Sequence, residues 1–248
     1  GVSIAITNTN SFGYAIPEHM ERLEKLGPVR RVSVPGDCRG RELAEAVGDA
    51  NIIITSGTPQ FDREFFECKP EMKLVARHGL GFNNVDVDAA RECGCFVTKV
   101  EKSVEREAVA ECAVCEMIDL IRKFWRGTRA AESNRWLDRG QFVGFELRNR
   151  TVGIVGCGNI GSRVAEILHH GFGARVIAND PVRDEAWAQE AGIEYVGLDT
   201  LVAESDVITL HATLNPTSFH LVDEKFLAGI KPGAYLVNTA RGDMLDQD

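Results

Sequence analysis

The chain contains no apolar run approaching the roughly 20 residues that a membrane-spanning helix needs, which argues against a bilayer span. It also lacks any block of Lys and Arg. Its 28 basic residues face 37 acidic ones, for a formal net charge of −9. Backbone contacts to nucleic acid draw on clustered positive charge, so neither nucleic acid nor a membrane is an expected partner. The opening GVSIAITNTN has no initiator Met and no basic-then-apolar leader layout, so a processed, cytoplasmic protein is expected. No internal repeat and no low-complexity tract interrupts the sequence. What is present is a globular composition, 44% hydrophobic and 26% charged over 248 residues, enough for real cores. That length suits two modest domains or one large one.

Seven cysteines, Cys38, Cys68, Cys93, Cys95, Cys112, Cys115 and Cys157, are odd in number and scattered through apolar segments. Cys112 and Cys115 fall within AVAECAVCEMIDLI, an amphipathic helical pattern, and Cys93 and Cys95 fall where a strand begins. Two such pairs are the raw material of a zinc site. No cluster of further ligands accompanies them, so they are read as reduced, small apolar residues facing packed surfaces, with no metal.

The first hundred residues alternate strand-like and helix-like signals. Strands are expected over 3–7, 29–34, 51–55, 73–76 and 95–100, and helices over 17–26, 41–47, 62–68 and 87–92. Such alternation points to βαβ units and a parallel sheet covered on both faces. A long helix is expected over 103–124, with Ser103 as N-cap and Glu105 and Glu107 in its first turn. The polar, Trp-bearing stretch 126–145 breaks the alternation and reads as an excursion toward another subunit. From Thr151 the alternation resumes through TVGIV, RVIAND, IEYV, VITLHA and AYLVNTA. The final MLDQD reads as the approach to another helix, so the chain is expected to stop within this second domain. The fold expected is α/β, with two doubly wound parallel-sheet domains over 1–100 and 101–248.

Gly156-Cys157-Gly158-Asn159-Ile160-Gly161 follows the apolar run 152–155 directly and opens a helix. In that context each glycine has a task. Gly156 allows the tight turn, Gly158 lets a pyrophosphate approach the backbone, and Gly161 lets helix and strand pack closely. The helix N-terminus adds unpaired N–H groups and partial positive charge. Asp180, 19 positions after Gly161, ends the next strand, where a carboxylate accepts bonds from ribose hydroxyls and repels a 2′-phosphate. NAD is therefore expected over NADP, with Arg183 the one nearby cation able to soften the preference.

Three further stretches resemble the D-isomer-specific 2-hydroxyacid dehydrogenases, among them the phosphoglycerate dehydrogenases and glyoxylate/hydroxypyruvate reductases. Arg77-His78-Gly79-Leu80-Gly81-Phe82-Asn83-Asn84-Val85-Asp86 is similar to the family's R-x-G-x-G-x-D-N-[IV]-D loop, with Asn83 in place of Asp. Ser205–Thr213 followed by Asn215-Pro216-Thr217 is similar to its next block, with Thr213 where H-x-P has Pro. Lys231–Asp243, containing NTARG, is similar to K-x-G-x-x-x-[IV]-N-x-[SA]-R-G. With Val109-Ala110-Glu111, the resemblance runs from about Met72 to the last residue.

The resemblance implies a flavodoxin-like substrate domain, a Rossmann NAD-binding domain, and an active site in the cleft between them. It places the substrate carboxylate on the backbone amides of Leu80 and Gly81. Arg241 matches the catalytic arginine, whose guanidinium can hold a carboxylate and a keto oxygen through parallel hydrogen bonds. Cofactor contacts fall on Gly156, Gly158, Asn159, Ile160, Gly161, Asp180, Ala212, Thr213 and Thr239. The implied activity is NAD-dependent interconversion of a D-2-hydroxy acid and its 2-keto acid, by a homodimer paired through the long helix and the arm 126–145.

The family's proton donor, a histidine oriented by a glutamate, follows the arginine block, and this chain ends seven residues after Arg241. A longer enzyme is therefore expected. An NAD(H)-binding, corepressor-like protein without turnover is the alternative. His19, His169, His170 and His220 fall on helices or their ends. His211 ends a strand beside the expected cofactor, and His78 alone is placed to face substrate. The loop Thr55-Ser56-Gly57-Thr58-Pro59 carries no cation, although Lys99 and Lys102 lie at the domain junction. A small, unphosphorylated 2-keto acid of the glyoxylate or hydroxypyruvate type is the expected substrate.

Overall fold

In a computed structural model, which describes residues 1–247, the chain forms two compact units, Gly1–Lys102 and Ser103 onward. Each is an α/β layer structure on a five-stranded parallel sheet. The first unit runs β1 (Ile4–Thr7), α1 (Glu18–Glu24), β2 (Val29–Val32), α2 (Gly40–Val47), β3 (Ile52–Thr55), α3 (Arg63–Cys68), β4 (Leu74–Arg77), α4 (Val87–Glu92) and β5 (Phe96–Lys99). Its sheet order is β2-β1-β3-β4-β5, the flavodoxin-like order, which reverses direction between β1 and β3.

Apolar side chains alternate across this sheet, as strand geometry requires. Ile4, Ile6 and Ile54 pack on one face with Met20 and Leu23. Ala5 and Ile53 pack on the other, with Phe61, Phe65 and Phe66. Helix starts are written into the sequence as aspartates: Asp62 accepts from the N–H of Phe65 at 3.0 Å, and Asp86 from that of Ala89 at 2.9 Å.

The boundary between the units falls at the first residue of α5 (Lys102–Arg122), and the second unit carries the rest of that helix, α6 (Phe124–Glu132) and a 3₁₀ segment over Trp136–Phe142. It continues β6 (Thr151–Val155), α7 (Asn159–Glu166), β7 (Arg175–Asn179), α8 (Glu185–Ala191), β8 (Glu194–Tyr195), α9 (Leu198–Glu204), β9 (Val207–Leu210), α10 (Glu224–Gly229) and β10 (Tyr235–Asn238). The order β10-β9-β6-β7-β8 follows the Rossmann pattern: β6, β7 and β8 form one mononucleotide-binding half, and the chain then crosses back to place β9 beside β6 and β10 beyond it. Ala110, Ala113, Met117 and Ile121 recur at helical spacing and bury one stripe of α5 against Val152, Ile154 and Val176.

Two local expectations are corrected. Ser103 lies inside α5 rather than capping it, because the helix already begins at Lys102. Cys112 and Cys115 are exposed, since the buried stripe of α5 passes through 110, 113, 117 and 121; Cys38, Cys95 and Cys157 are buried. The stretch after α5 is mostly helical. Lys123 takes a left-handed conformation (φ 54°) that ends one helix, and Asp119 accepts from the N–H of Trp125 at 2.7 Å to begin the next.

Candidate functional site

In the second unit, parallel strands bring every C-terminal end to one edge of the sheet. Gly156 follows β6, Asp180 follows β7, His211 and Ala212 follow β9, and Thr239 and Arg241 follow β10. This edge is where open α/β sheets bind ligands.

The turn after β6 has the geometry that its glycines imply. Gly156 sits at φ 88°, and a Cβ there would lie 2.3 Å from the backbone nitrogen of Ala212. A Cβ on Gly161 would meet the Gly156 carbonyl oxygen at 2.0 Å, so helix and turn touch backbone to backbone. Gly158, at the N-cap of α7, is different: a Cβ there would meet nothing within 4 Å. It faces open space above the first N–H groups of the helix, where an anion can approach the backbone. Asn159 and Ile160 form the first turn of α7. Arg106 Nε donates to the Asn159 carbonyl at 3.1 Å and anchors that turn from α5.

Asp180 does more than end a strand. Its Oδ2 accepts from the Cys157 N–H at 2.8 Å and its Oδ1 from the Val182 N–H at 2.8 Å, so the acid is tied to the glycine turn. Each oxygen keeps a further lone pair for a ribose hydroxyl. Arg183 lies over the Tyr195 ring at 5.7 Å and 4.0 Å from Glu185, so its charge is already partnered. Burial pushes the Cys157 thiol up to about 11, which makes it packing rather than a nucleophile at neutral pH.

His211 bonds Thr209 Oγ1 through Nε2 at 2.9 Å and Thr239 Oγ1 through Nδ1 at 3.5 Å. Burial pushes its imidazole down to about 4. It is therefore neutral near pH 7 and has no proton to give there. Thr213 is exposed; its carbonyl accepts from Ser218 Oγ at 2.7 Å, so the loop is held through backbone even with threonine in place of proline. Arg241 is half-buried at the end of the NTARG turn. Its carbonyl accepts from Asn238 Nδ2 at 2.8 Å, and its Nη1 donates to the Ala240 carbonyl at 2.8 Å.

In the first unit the loop after β4 is clamped from beneath. Arg77 is buried, and its guanidinium donates to the carbonyls of Gly81 at 2.6 Å, Thr55 at 3.2 Å and His78 at 3.4 Å. Asn84, also buried, donates to the carbonyls of Ser56 at 3.2 Å and Pro59 at 2.8 Å, joining this loop to the one after β3. Leu80 and Gly81 are half-buried on the crest. Arg77 and Asn84 belong to the motif quoted above, which does not itself reveal their clamping role. Their polarity next to a glycine-rich loop was the only available signal. Lys99 lies 4.7 Å from the centroid of the Phe82 ring, a cation–π contact, and Lys102 begins α5. Among the described residues, no group of three or more His, Cys, Asp or Glu is gathered as for a metal ion, and no helix is long and apolar enough to cross a membrane.

Comparison with known proteins bears on this arrangement. Residues 114–248 match the family model described as D-isomer specific 2-hydroxyacid dehydrogenase, NAD binding domain. A glyoxylate reductase of Thermococcus litoralis is 32% identical over 238 residues, covering 93% of this chain and 71% of that protein. A D-3-phosphoglycerate dehydrogenase of Mycobacterium bovis is 37% identical over 214 residues, covering 86% and 40%. The crystal structure of D-lactate dehydrogenase from Aquifex aeolicus, complexed with NAD and lactic acid, superposes with a TM-score of 0.80 at 28% identity, covering 98% and 70%. The chain spans 62% of the length of curated relatives that it matches at 38% and 34% identity. The glycine turn, its aspartate and the family match agree: the chain belongs to the D-isomer-specific 2-hydroxyacid dehydrogenase family and carries that family's NAD-binding domain.

Proposed function

We propose that the protein interconverts a small D-2-hydroxy acid and its 2-keto acid with NAD. The first unit is the substrate domain in this reading, and the second holds the cofactor. The observation that carries it is the common C-terminal side of one parallel sheet, where Gly156 follows β6, Asp180 follows β7, and Thr239 and Arg241 follow β10. The turn over Gly156–Gly161 takes the pyrophosphate, Asp180 takes the adenosine ribose, and Ala212, Thr213 and Thr239 line the path beyond. When bound, NAD supplies the hydride acceptor. Leu80 and Gly81 offer backbone N–H groups to the substrate carboxylate. Arg241 donates to the carboxylate and the keto oxygen, fixing the carbonyl and stabilising charge that grows on its oxygen. His211, neutral by burial, is not the proton donor.

The substrate favoured is unphosphorylated, of the glyoxylate or hydroxypyruvate type. The loop over Thr55–Pro59 has no cation to meet a phosphate, and Lys99 is engaged with Phe82. Glyoxylate and lactate enzymes among the relatives support this reading, and the phosphoglycerate enzyme stands against it. Steady-state NADH oxidation by the protein from its own gene tests it, with hydroxypyruvate turned over more efficiently than 3-phosphohydroxypyruvate. The reverse preference overturns the substrate assignment.

The same reading makes the protein a homodimer. Phe124, Trp125, Trp136, Leu137 and Val143 all lie exposed along 124–143, an aromatic-rich apolar surface of the kind that interfaces cover. A reducing, cytoplasmic setting fits seven cysteines that are all free. A net charge of −9 fits a protein without nucleic-acid or membrane partners.

A further inference from the structure

We propose that His78 is a specificity-determining residue: its Nε2 makes a hydrogen bond to a hydroxyl on C3 of the substrate, with Thr9 holding the ring in place. The inference rests on the reading above that the backbone of Leu80 and Gly81 takes the substrate carboxylate, and it narrows the substrate to a 2-keto acid with a polar C3.

The sheet of the first unit reverses direction between β1 and β3, and ligands of open α/β sheets bind outside the strand ends at such a point. Three loops are tied together there. Ser56 Oγ, after β3, donates to the Asn8 carbonyl, after β1, at 2.8 Å. Asn84 joins the loop after β4 to the Ser56 carbonyl at 3.2 Å. His78 and Thr9 make the third tie, Nδ1 to Oγ1 at 3.1 Å, linking the loop after β4 to the loop after β1. His78 immediately precedes Gly79, Leu80 and Gly81, so it belongs to the same loop as the amides assigned to the carboxylate.

The ring is aimed rather than loose. Thr9 is only 4% exposed, and the Phe12 ring meets the imidazole edge-on at a centroid distance of 5.4 Å. With Nδ1 engaged by a buried hydroxyl, Nε2 is the nitrogen left to an outside ligand, and His78 itself is exposed. A surface histidine with no ligand gains little from such fixing, whereas a recognition group depends on it.

The surrounding chemistry selects the ligand. Arg77, which reaches this corner from β4, is spent on backbone carbonyls, and Arg31, on β2, reaches the loop after β1. The Arg31 guanidinium is committed to the carbonyls of Thr9 at 3.2 Å and Phe12 at 2.6 Å. The loop Thr55–Pro59 contributes no positive charge. The corner therefore presents one oriented imidazole and hydroxyl-bearing loops, suited to a neutral oxygen such as an alcohol and not to a phosphate. A site built to bond a hydroxyl discriminates against the analogue that lacks it, because its polar group is then left unpaired.

The test is steady-state NADH oxidation by the protein from its own gene with hydroxypyruvate, pyruvate and glyoxylate. In His78→Leu, kcat/KM for hydroxypyruvate should fall about tenfold relative to pyruvate, while pyruvate and glyoxylate stay within about threefold of the parent. His78→Gln, which keeps an N–H near the position of Nε2, should recover most of the loss. Thr9→Val, close to isosteric, should raise KM for hydroxypyruvate with little change in kcat, a split that general damage to the loop would not produce. Equal losses on all three substrates, or no change on any, overturn the role of His78 and leave the dehydrogenase reading standing. Absence of turnover by the parent protein with every 2-keto acid removes that reading and this inference together.

Discussion

The carboxylate of Asp180 accepts a hydrogen bond from the backbone N–H of Cys157 at 2.8 Å, so the acid after β7 holds the turn after β6. In the proposed reading one residue thus both shapes the pyrophosphate cradle and faces the ribose. Asp180→Ala should relax discrimination against NADP and also weaken NAD binding, because the turn loses its anchor. Binding titrations with both cofactors check this. A variant with undiminished preference for NAD shows that Asp180 is not the selector.

Two glycines of that turn should respond in opposite ways. Gly156→Ala forces a methyl against Ala212 at a φ of 88°, and should lower the melting temperature markedly. Gly158→Ala meets no protein atom within 4 Å, so it should fold normally yet lose NADH affinity by tenfold or more. Thermal melts alongside NADH fluorescence titrations separate the two. Normal NADH affinity in folded Gly158→Ala contradicts the placement of the pyrophosphate.

Acid stability should report on His211. Its imidazole is pushed down to about 4 in the fold, against an ordinary value of 6.5. Between those values the unfolded chain binds a proton that the native chain does not, so stability falls as pH drops from about 6.5 toward 4 and levels off below. The contribution is at most about 3 kcal/mol. Denaturant melts at pH 7.5 and 4.5 should show a smaller acid loss in His211→Gln than in the parent. An identical pH dependence would mean that His211 titrates normally.

Asp62 caps α3 through the Phe65 N–H and also accepts from the Gly40 N–H, at the start of α2, at 3.1 Å. Asp62→Ala should cost about 1–2 kcal/mol, read as a lower denaturant midpoint with an unchanged slope. No shift in midpoint would show that water replaces both bonds.

Much of this was legible in the residues. Strands such as IAIT, IIIT and VITL announce themselves as near-continuous apolar runs because parallel strands are buried on both faces. The glycine turn and Asp180 were legible because their chemistry demands fixed residue types at fixed spacing. The clamp by Arg77 was not, since a buried arginine spent on three carbonyls depends on loops that meet only in three dimensions. The break at Lys123 was hidden because a left-handed non-glycine residue leaves no mark in composition. The exposure of Cys112 and Cys115 was missed because residue type does not set helix phase; the stripe through Ala110 and Met117 does.

The loss of NADH absorbance after adding a 2-keto acid to the protein from its own gene measures hydride transfer directly. Steady oxidation of NADH is expected with hydroxypyruvate or glyoxylate, reduced by about 100-fold or more in Arg241→Gln while NADH affinity is kept. Tight NADH binding with no oxidation by any 2-keto acid would contradict it and mark the protein as an NAD(H)-binding regulator.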